Sequence, residues 1–71
     1  MSVGEILKAA REKLGKTQAQ VAAELSKTQA TISEWERNKS LPKTDEIREV
    51  ALVYAVAPEA ILPLNPRGRT A

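Results

Sequence analysis

The side chains that most enzymes use for nucleophilic attack, proton transfer and metal binding are scarce in this sequence. It contains no cysteine and no histidine, so neither a thiolate nor an imidazole is available as nucleophile, base or zinc ligand. Its carboxylates are spread along amphipathic segments without the spacing of a calcium-binding loop, and there is no glycine-rich phosphate loop. These residue types predict a protein that is not an enzyme and that needs no metal or other cofactor.

Charged side chains are distributed unevenly along the 71 residues. Residues 1–43 hold eight basic and five acidic side chains, whereas residues 44–66 hold one basic and four acidic ones. The first part is therefore suited to a polyanionic partner, although an ordinary charged surface has a similar composition. No apolar run reaches the ~18–20 residues that cross a membrane, and charges interrupt residues 1–15, where a signal peptide would be apolar. We therefore expect no membrane association and a cytoplasmic location.

Helix start signals and stop signals divide the first half of the chain. Ser2 and Glu5 have capping-box spacing, and Gly15 stands where a left-handed residue would end that helix. Thr17 and Gln20 form a second capping box. The predicted inner faces are Ile6, Leu7, Ala10 and Leu14 in the first helix and Val21, Ala22 and Leu25 in the second.

A third helix is predicted to begin at the N-cap residue Thr28 and to end near Asn38, which tolerates a left-handed conformation. Ile32 and Trp35 lie three residues apart, so both face inward. Pro42 then favours an extended connection, because the residue before a proline avoids the helical region.

The remaining elements are also helical. Thr44 is predicted to cap a fourth helix, and Pro58 fits the first position of a short last one. The sequence thus predicts an all-α, compact bundle of about five short helices over residues 1–64, with residues 65–71 as a disordered tail. The inner face of the fourth helix is Ile47, Val50, Ala51 and Tyr54.

The stretch 17–38, TQAQVAAELSKTQATISEWERN, resembles the helix-turn-helix of the lambda-repressor/Cro (XRE) family. Gln18 after the cap, the small Ala22 and the run from Ile32 to Glu36 match the family pattern, and the resemblance extends from Arg11 to Leu62. It implies a lambda-repressor-like domain whose helix-turn-helix is formed by helices 2 and 3. The turn departs from the pattern: Ser26 and Lys27 replace the usual Gly and Val-like residue, and Asn38 replaces the Gly after helix 3.

The resemblance implies that the third helix lies in the major groove of double-stranded DNA. The exposed face would then read bases, and Gln29 is the first candidate, because a primary amide can donate and accept together at adenine. The alternative is an ordinary exposed helical face with polar residues. The candidate base-reading residues are Gln29, Ala30, Ser33 and Glu34.

Phosphate contacts would supply affinity and register rather than sequence information. The matching Gln of the family binds phosphate, and Gln18 is also placed to brace Gln29 in this sequence. Each lysine taken singly is also compatible with a solvated surface position. The candidate phosphate-contacting residues are Gln18, Thr28, Thr31, Arg37, Lys39, Lys43 and Lys27.

Two further expectations follow from the resemblance. Arg11 and Glu36 stand at positions that the family pairs as a structural ion pair. The C-terminal segment is rich in apolar side chains and forms a two-fold interface in the family, which implies a homodimer; alternatively, these residues close the core of the monomer. The candidate interface residues are Val56, Ile61, Leu62 and Leu64.

The function that the resemblance implies is sequence-specific binding to DNA, as a Cro-like repressor that binds a palindromic operator as a dimer. Two alternatives have similar sequences. One is a restriction-modification controller protein, and the other is an antitoxin that binds a toxin and regulates its own promoter. The antitoxin would need a second surface, for which the acidic helix 44–54 or the tail is available.

Overall fold

Five α-helices and one 3₁₀ turn make up the part of the chain that the computed structural model describes, residues 1–62. The helices are α1 (Val3–Lys13), α2 (Gln18–Leu25), α3 (Gln29–Glu36), α4 (Ile47–Tyr54) and α5 (Pro58–Ile61), and the 3₁₀ turn is Thr44–Glu46. This architecture confirms the predicted all-α bundle. Residues 63–71, which include Leu64 and the predicted tail, lie outside the described residues.

The N-termini of the first three helices form as predicted. Ser2 Oγ accepts from the Glu5 N–H at 3.1 Å, and Glu5 accepts in return from the Ser2 N–H at 2.8 Å. Thr17 and Gln20 make the same reciprocal pair, and Thr28 Oγ1 accepts from the Thr31 N–H. Each helix therefore has part of its unpaired first turn satisfied by its own N-terminal side chains.

The first four helices end with left-handed residues: Gly15, Ser26, Asn38 and Ala55 have φ values of 72°, 57°, 62° and 57°. In each case the following N–H donates to a carbonyl five residues back, as in the bond of 2.8 Å from Lys27 to Ala22. Three of the four residues carry a Cβ, at a cost of roughly 1 kcal/mol each relative to glycine. This closure turns the chain sharply and lets short helices pack around one core.

The start of the fourth helical segment differs from the prediction. Thr44 is not the capping residue, because the 3₁₀ turn already includes it and Lys43 precedes that turn. Glu46 accepts from the Lys43 N–H at 3.2 Å, so a side chain three residues later satisfies the free amide. The inner face of α4 is as predicted and fully buried, with Ile47, Val50, Ala51 and Tyr54 in the core.

Helix α3 packs between its neighbours α1 and α2, and α4 packs against α2 and α5. Helices α1 and α3 approach each other closely at Gly4 in α1, where a Cβ would lie 2.6 Å from the carbonyl oxygen of Glu36 and 2.8 Å from that of Trp35. Only a residue without a side chain lets the start of α1 meet the end of α3 at this distance.

Replacing Gly4 with alanine is therefore expected to destabilise the fold by about 1–3 kcal/mol, because the new Cβ meets backbone atoms that cannot move independently. Helix propensity alone would favour alanine by up to about 1 kcal/mol. The sign of the change in stability therefore shows whether the backbone contact or the helix propensity dominates. Urea unfolding measures it, with Ala9→Gly on the exposed face of α1 as a propensity control. A more stable Gly4→Ala variant would contradict the close approach.

Candidate nucleic-acid interface

The two faces of α3 differ sharply in exposure. Ile32 and Trp35 are 0% and 3% exposed and anchor the helix in the core. Gln29, Ala30 and Glu34 are exposed on the opposite side. The burial of two large apolar side chains holds the outer face in a defined orientation. The third helix can therefore present an amide, a methyl group and a carboxylate to a partner.

Ser33 is half-buried and bonded to Arg37, because the Nε atom of Arg37 donates to Ser33 Oγ at 3.1 Å. At the start of the helix, the hydroxyl oxygens of Thr28 and Thr31 lie 3.0 Å apart. Thr28 is exposed and Thr31 is half-buried. These hydroxyls lie beside the first-turn amides of α3, where the helix dipole favours an anion.

A buried ionic cluster ties α3 to the rest of the molecule. Arg11 donates to both carboxylate oxygens of Glu36, with Nε to Oε2 at 2.7 Å and Nη2 to Oε1 at 2.9 Å. The Glu36 side chain is 2% exposed and the Arg11 side chain 11%. Arg11 Nη1 also donates to the Lys16 carbonyl. The pair that the resemblance implies thus lies in contact, in the two-bond geometry that makes arginine–carboxylate pairs strong.

Two more donors complete the Glu36 site. Tyr54 Oη donates to Oε2 at 3.0 Å, and Gln18 Nε2 donates to Oε1 at 3.2 Å. Burial alone would raise the pKa of Glu36, but the hydrogen bonds from Arg11, Gln18 and Tyr54 outweigh it and the pKa is lowered. Burial, with the negative charge of Glu36 beside it, raises the pKa of Tyr54. The cluster is therefore an ionised carboxylate held by neutral and cationic donors.

Some of the candidate phosphate-contacting side chains already have hydrogen-bond or ion-pair partners within the protein. Arg37, Lys39 and Lys43 are exposed. Lys27, by contrast, forms an ion pair with Glu46, and this hydrogen bond is the first cause of the lowered pKa of Glu46. A phosphate contact by Lys27 would have to replace that pair. Gln18 is half-buried and uses its amide nitrogen on Glu36.

The hydrogen bonds of two residues at this site were not predicted from the sequence. Asn38 Oδ1 accepts from the Gly4 N–H at 3.0 Å, and its Nδ2 donates to Ser2 Oγ at 2.9 Å. Asn38 thus joins the end of α3 to the start of α1. Tyr54 was predicted as a core residue, but its hydroxyl also donates a hydrogen bond to Glu36. A buried tyrosine hydroxyl needs a partner, which is the one signal that could have indicated this role.

The predicted dimer-interface set needs one correction. Ile61 is 0% exposed and belongs to the monomer core, because α5 packs this side chain against α1 and α4. A side chain without accessible surface cannot contact a second subunit. Val56 and Leu62 are half-buried at the edge of the core. The most exposed large apolar side chain of α4 is Leu52, at 80%.

Among residues 1–62, no helix combines the length and apolarity that would cross a membrane. Over the same described part of the chain, no three acidic side chains gather into a group that could hold a metal ion.

Comparison with known proteins agrees with this geometry. The sequence model of the helix-turn-helix family matches residues 7–61, well over half of the chain. The HTH-type transcriptional regulator ImmR of Bacillus subtilis (strain 168) is 36% identical over 62 residues, covering 87% of this chain and 49% of ImmR. The chain therefore spans about half the length of this curated relative.

A solved structure has the same fold. The P22 c2 repressor protein, crystallised in complex with synthetic operator 9T in the presence of Tl+, matches with a TM-score of 0.82 and 25% sequence identity. The match covers 89% of this chain and 96% of that chain. With the family match, the shared architecture and the residues common to the motif, the chain belongs to the helix-turn-helix family, in its lambda-repressor/Cro (XRE) branch.

Proposed function

We propose that this protein is a cytoplasmic, sequence-specific regulator of transcription that binds double-stranded DNA. In the finer form of the proposal it is a Cro-like repressor that binds a palindromic operator as a homodimer. Its activity is then binding rather than catalysis. The relatives support this direction, because one is named a transcriptional regulator and the other is a repressor bound to an operator.

The observation that carries the proposal is the outward placement of Gln29 and Ala30 on a helix that Ile32 and Trp35 anchor in the core. An α-helix fits into the major groove of B-DNA, which is about 12 Å wide. A primary amide at the start of such a helix can make paired hydrogen bonds with adenine, and a methyl group can contact thymine. Glu34, on the same exposed side, would accept from cytosine or disfavour other bases.

Exposed cations after the C-terminal end of α3 support contacts between the proposed binding surface and the DNA backbone. Arg37, Lys39 and Lys43 lie close together in sequence and are all exposed. Thr28 and Thr31 hydroxyls and the first-turn amides of α3 are at its other end. These groups suit contacts with the DNA backbone, which give affinity and salt dependence.

A homodimer would place two copies of α3 about 34 Å apart, one turn of DNA. The exposed Leu52 on α4, with half-buried Val56 and Leu62 nearby in the sequence, is apolar surface that a second copy could cover. Sedimentation measurements with and without DNA test this, and a protein that remains a monomer on DNA would contradict it. Co-purification of a tightly bound small protein would favour the antitoxin alternative. A footprint with a single half-site would contradict the palindromic operator.

Gln29→Ala is expected to weaken binding to the operator by about 1–3 kcal/mol, while binding to unrelated DNA is nearly unchanged, because the amide contacts a base rather than the backbone. The operator is first obtained by selection from random DNA, and affinities are then measured in competition assays. Lys39→Ala is the contrasting variant: it should weaken all sequences alike and reduce the salt slope by about one. Equal losses of Gln29→Ala on both DNAs would remove Gln29 from base recognition.

A further inference from the structure

The orientation of two amides on the candidate interface follows from a carboxylate buried beneath it. We propose that Glu36 is a positioning residue for base recognition, which acts through Gln18 and determines which atoms Gln29 presents to DNA. The inference rests on the proposed function and deepens it, because it assigns a role in specificity to a residue that contacts no nucleic acid.

The first step is the fixed geometry of the carboxylate. Arg11 bonds to both oxygens of Glu36, and Tyr54 bonds to Oε2, so the group cannot rotate without breaking these bonds. Its side chain is 2% exposed, which leaves almost no room for water. An ionised carboxylate accepts hydrogen bonds and has none to donate. Whatever lies against Oε1 must therefore be a donor.

The second step concerns Gln18, whose side-chain amide lies 3.2 Å from Oε1 of Glu36. Only the NH₂ group satisfies this contact. The opposite orientation would place an amide oxygen against the carboxylate and leave a partly buried acceptor without a donor. The buried charge thus fixes the direction of the Gln18 amide, with Oε1 turned away from Glu36.

The third step concerns Gln29, whose Nε2 lies 3.5 Å from Gln18 Oε1, at the outer limit of hydrogen bonding. An amide oxygen accepts only, so Gln29 turns its NH₂ group towards Gln18. One N–H then faces Gln18, while the second N–H and Oε1 remain for a base. One donor beside one acceptor matches N7 and N6 of adenine. If both amides were reversed, donor and acceptor would exchange places and the match would be lost.

The contacts that lead from Glu36 through Gln18 to Gln29 are called the relay below. Gln18→Met tests the relay, because methionine keeps the length of the side chain but has no amide. The operator position at which Gln29→Ala loses base preference is identified first. At that position, Gln18→Met is expected to reduce the preference among the four bases by roughly tenfold, with other positions unchanged. In the Gln29→Ala background it should cause no further loss. The matched control is Gln20→Met, which removes an amide from the same helix that bonds to Thr17 instead.

The role of Glu36 itself is tested with the double variant Arg11→Met and Glu36→Gln. It removes both charges together and so leaves no unpaired buried charge, while the new amide can offer Gln18 either a donor or an acceptor. The folded state is verified by circular dichroism and urea unfolding. The expected result is a lowered base preference at the same operator position with an unchanged salt slope. An unchanged base preference at that position in the folded double variant would overturn the role of Glu36. If the double variant does not fold, Arg11→Lys replaces it, because lysine keeps the buried positive charge but loses the paired bonds that fix the carboxylate; an unchanged preference would again overturn the role of Glu36.

The outcomes separate this inference from the proposed function. A wild-type protein that prefers an operator, with the preference at the Gln29 position unchanged by Gln18→Met, overturns the relay alone. Additive losses in Gln18→Met and Gln29→Ala also overturn it, because two side chains acting as one unit are not additive. A wild-type protein without any sequence preference overturns both the function and the relay.

Discussion

Glu36→Gln is expected to lower the free energy of unfolding by about 3–5 kcal/mol, because it leaves the Arg11 guanidinium buried without its counter-charge. The carboxylate receives four hydrogen bonds from three side chains, and its side chain is 2% exposed. The loss should appear as a fall of more than about 10 °C in the thermal midpoint. Urea unfolding followed by circular dichroism at low temperature measures the free energy directly.

The control is Glu24→Gln, which breaks the pair between Lys16 and Glu24. Their side chains are 28% and 43% exposed, so the loss should be below about 1 kcal/mol. Equal losses for the two variants would mean that the Glu36 site is as well solvated as the surface pair.

The pH dependence of the unfolding free energy provides a second test of the Glu36→Gln substitution. The pKa of Glu36 is lowered in the folded protein from its usual 4.5, so its stabilising contribution is complete above the pKa of the unfolded chain. The contribution is lost as the pH falls through the folded-state pKa, where the wild-type carboxylate becomes protonated. The difference in unfolding free energy between wild type and Glu36→Gln should therefore shrink as the pH is lowered below 4.5. A difference that does not change over this range would contradict the ionised, paired carboxylate.

Ile61→Ala is expected to cost about 2–5 kcal/mol, because it removes three carbons from a side chain with no exposed surface. The same truncation of an exposed side chain, Leu52→Ala, should change the unfolding free energy by no more than about 0.5 kcal/mol. Urea unfolding at two protein concentrations separates loss of packing from loss of association. If the two variants behave alike, α5 does not close the monomer core.

Most helix starts and ends could be predicted from residues that lie close together in the sequence. The capping boxes at Ser2 and Thr17 involve residues only three apart, and left-handed ends at Gly15 and Asn38 depend on one residue each. These features are independent of the rest of the fold. The start of the fourth segment was misplaced by one residue because Thr44 is a good capping residue by type, whereas the Glu46 side chain satisfies the Lys43 amide instead.

Contacts between distant residues were harder to predict. The direction that Ile61 faces depends on how a four-residue helix docks, since such a helix is too short for periodicity to define an inner face. The partners of Glu36 come from three other helices, and only Arg11 had been paired with it, through a family resemblance. Lys27 appeared free because its partner, Glu46, is 19 residues away. Side-chain partnerships of this kind are decided by tertiary packing.

The junction between Ser2, Gly4 and Asn38 has a practical consequence for anyone who handles this protein. The hydrogen bonds of Asn38 span 34 and 36 residues, so they hold the start of α1 directly against the end of α3. Whatever polypeptide precedes Ser2, including a purification tag, is therefore attached beside the C-terminal end of α3. A fusion at this end lies next to the helix that we propose for base recognition, although Ser2 and Asn38 are 36 residues apart along the chain.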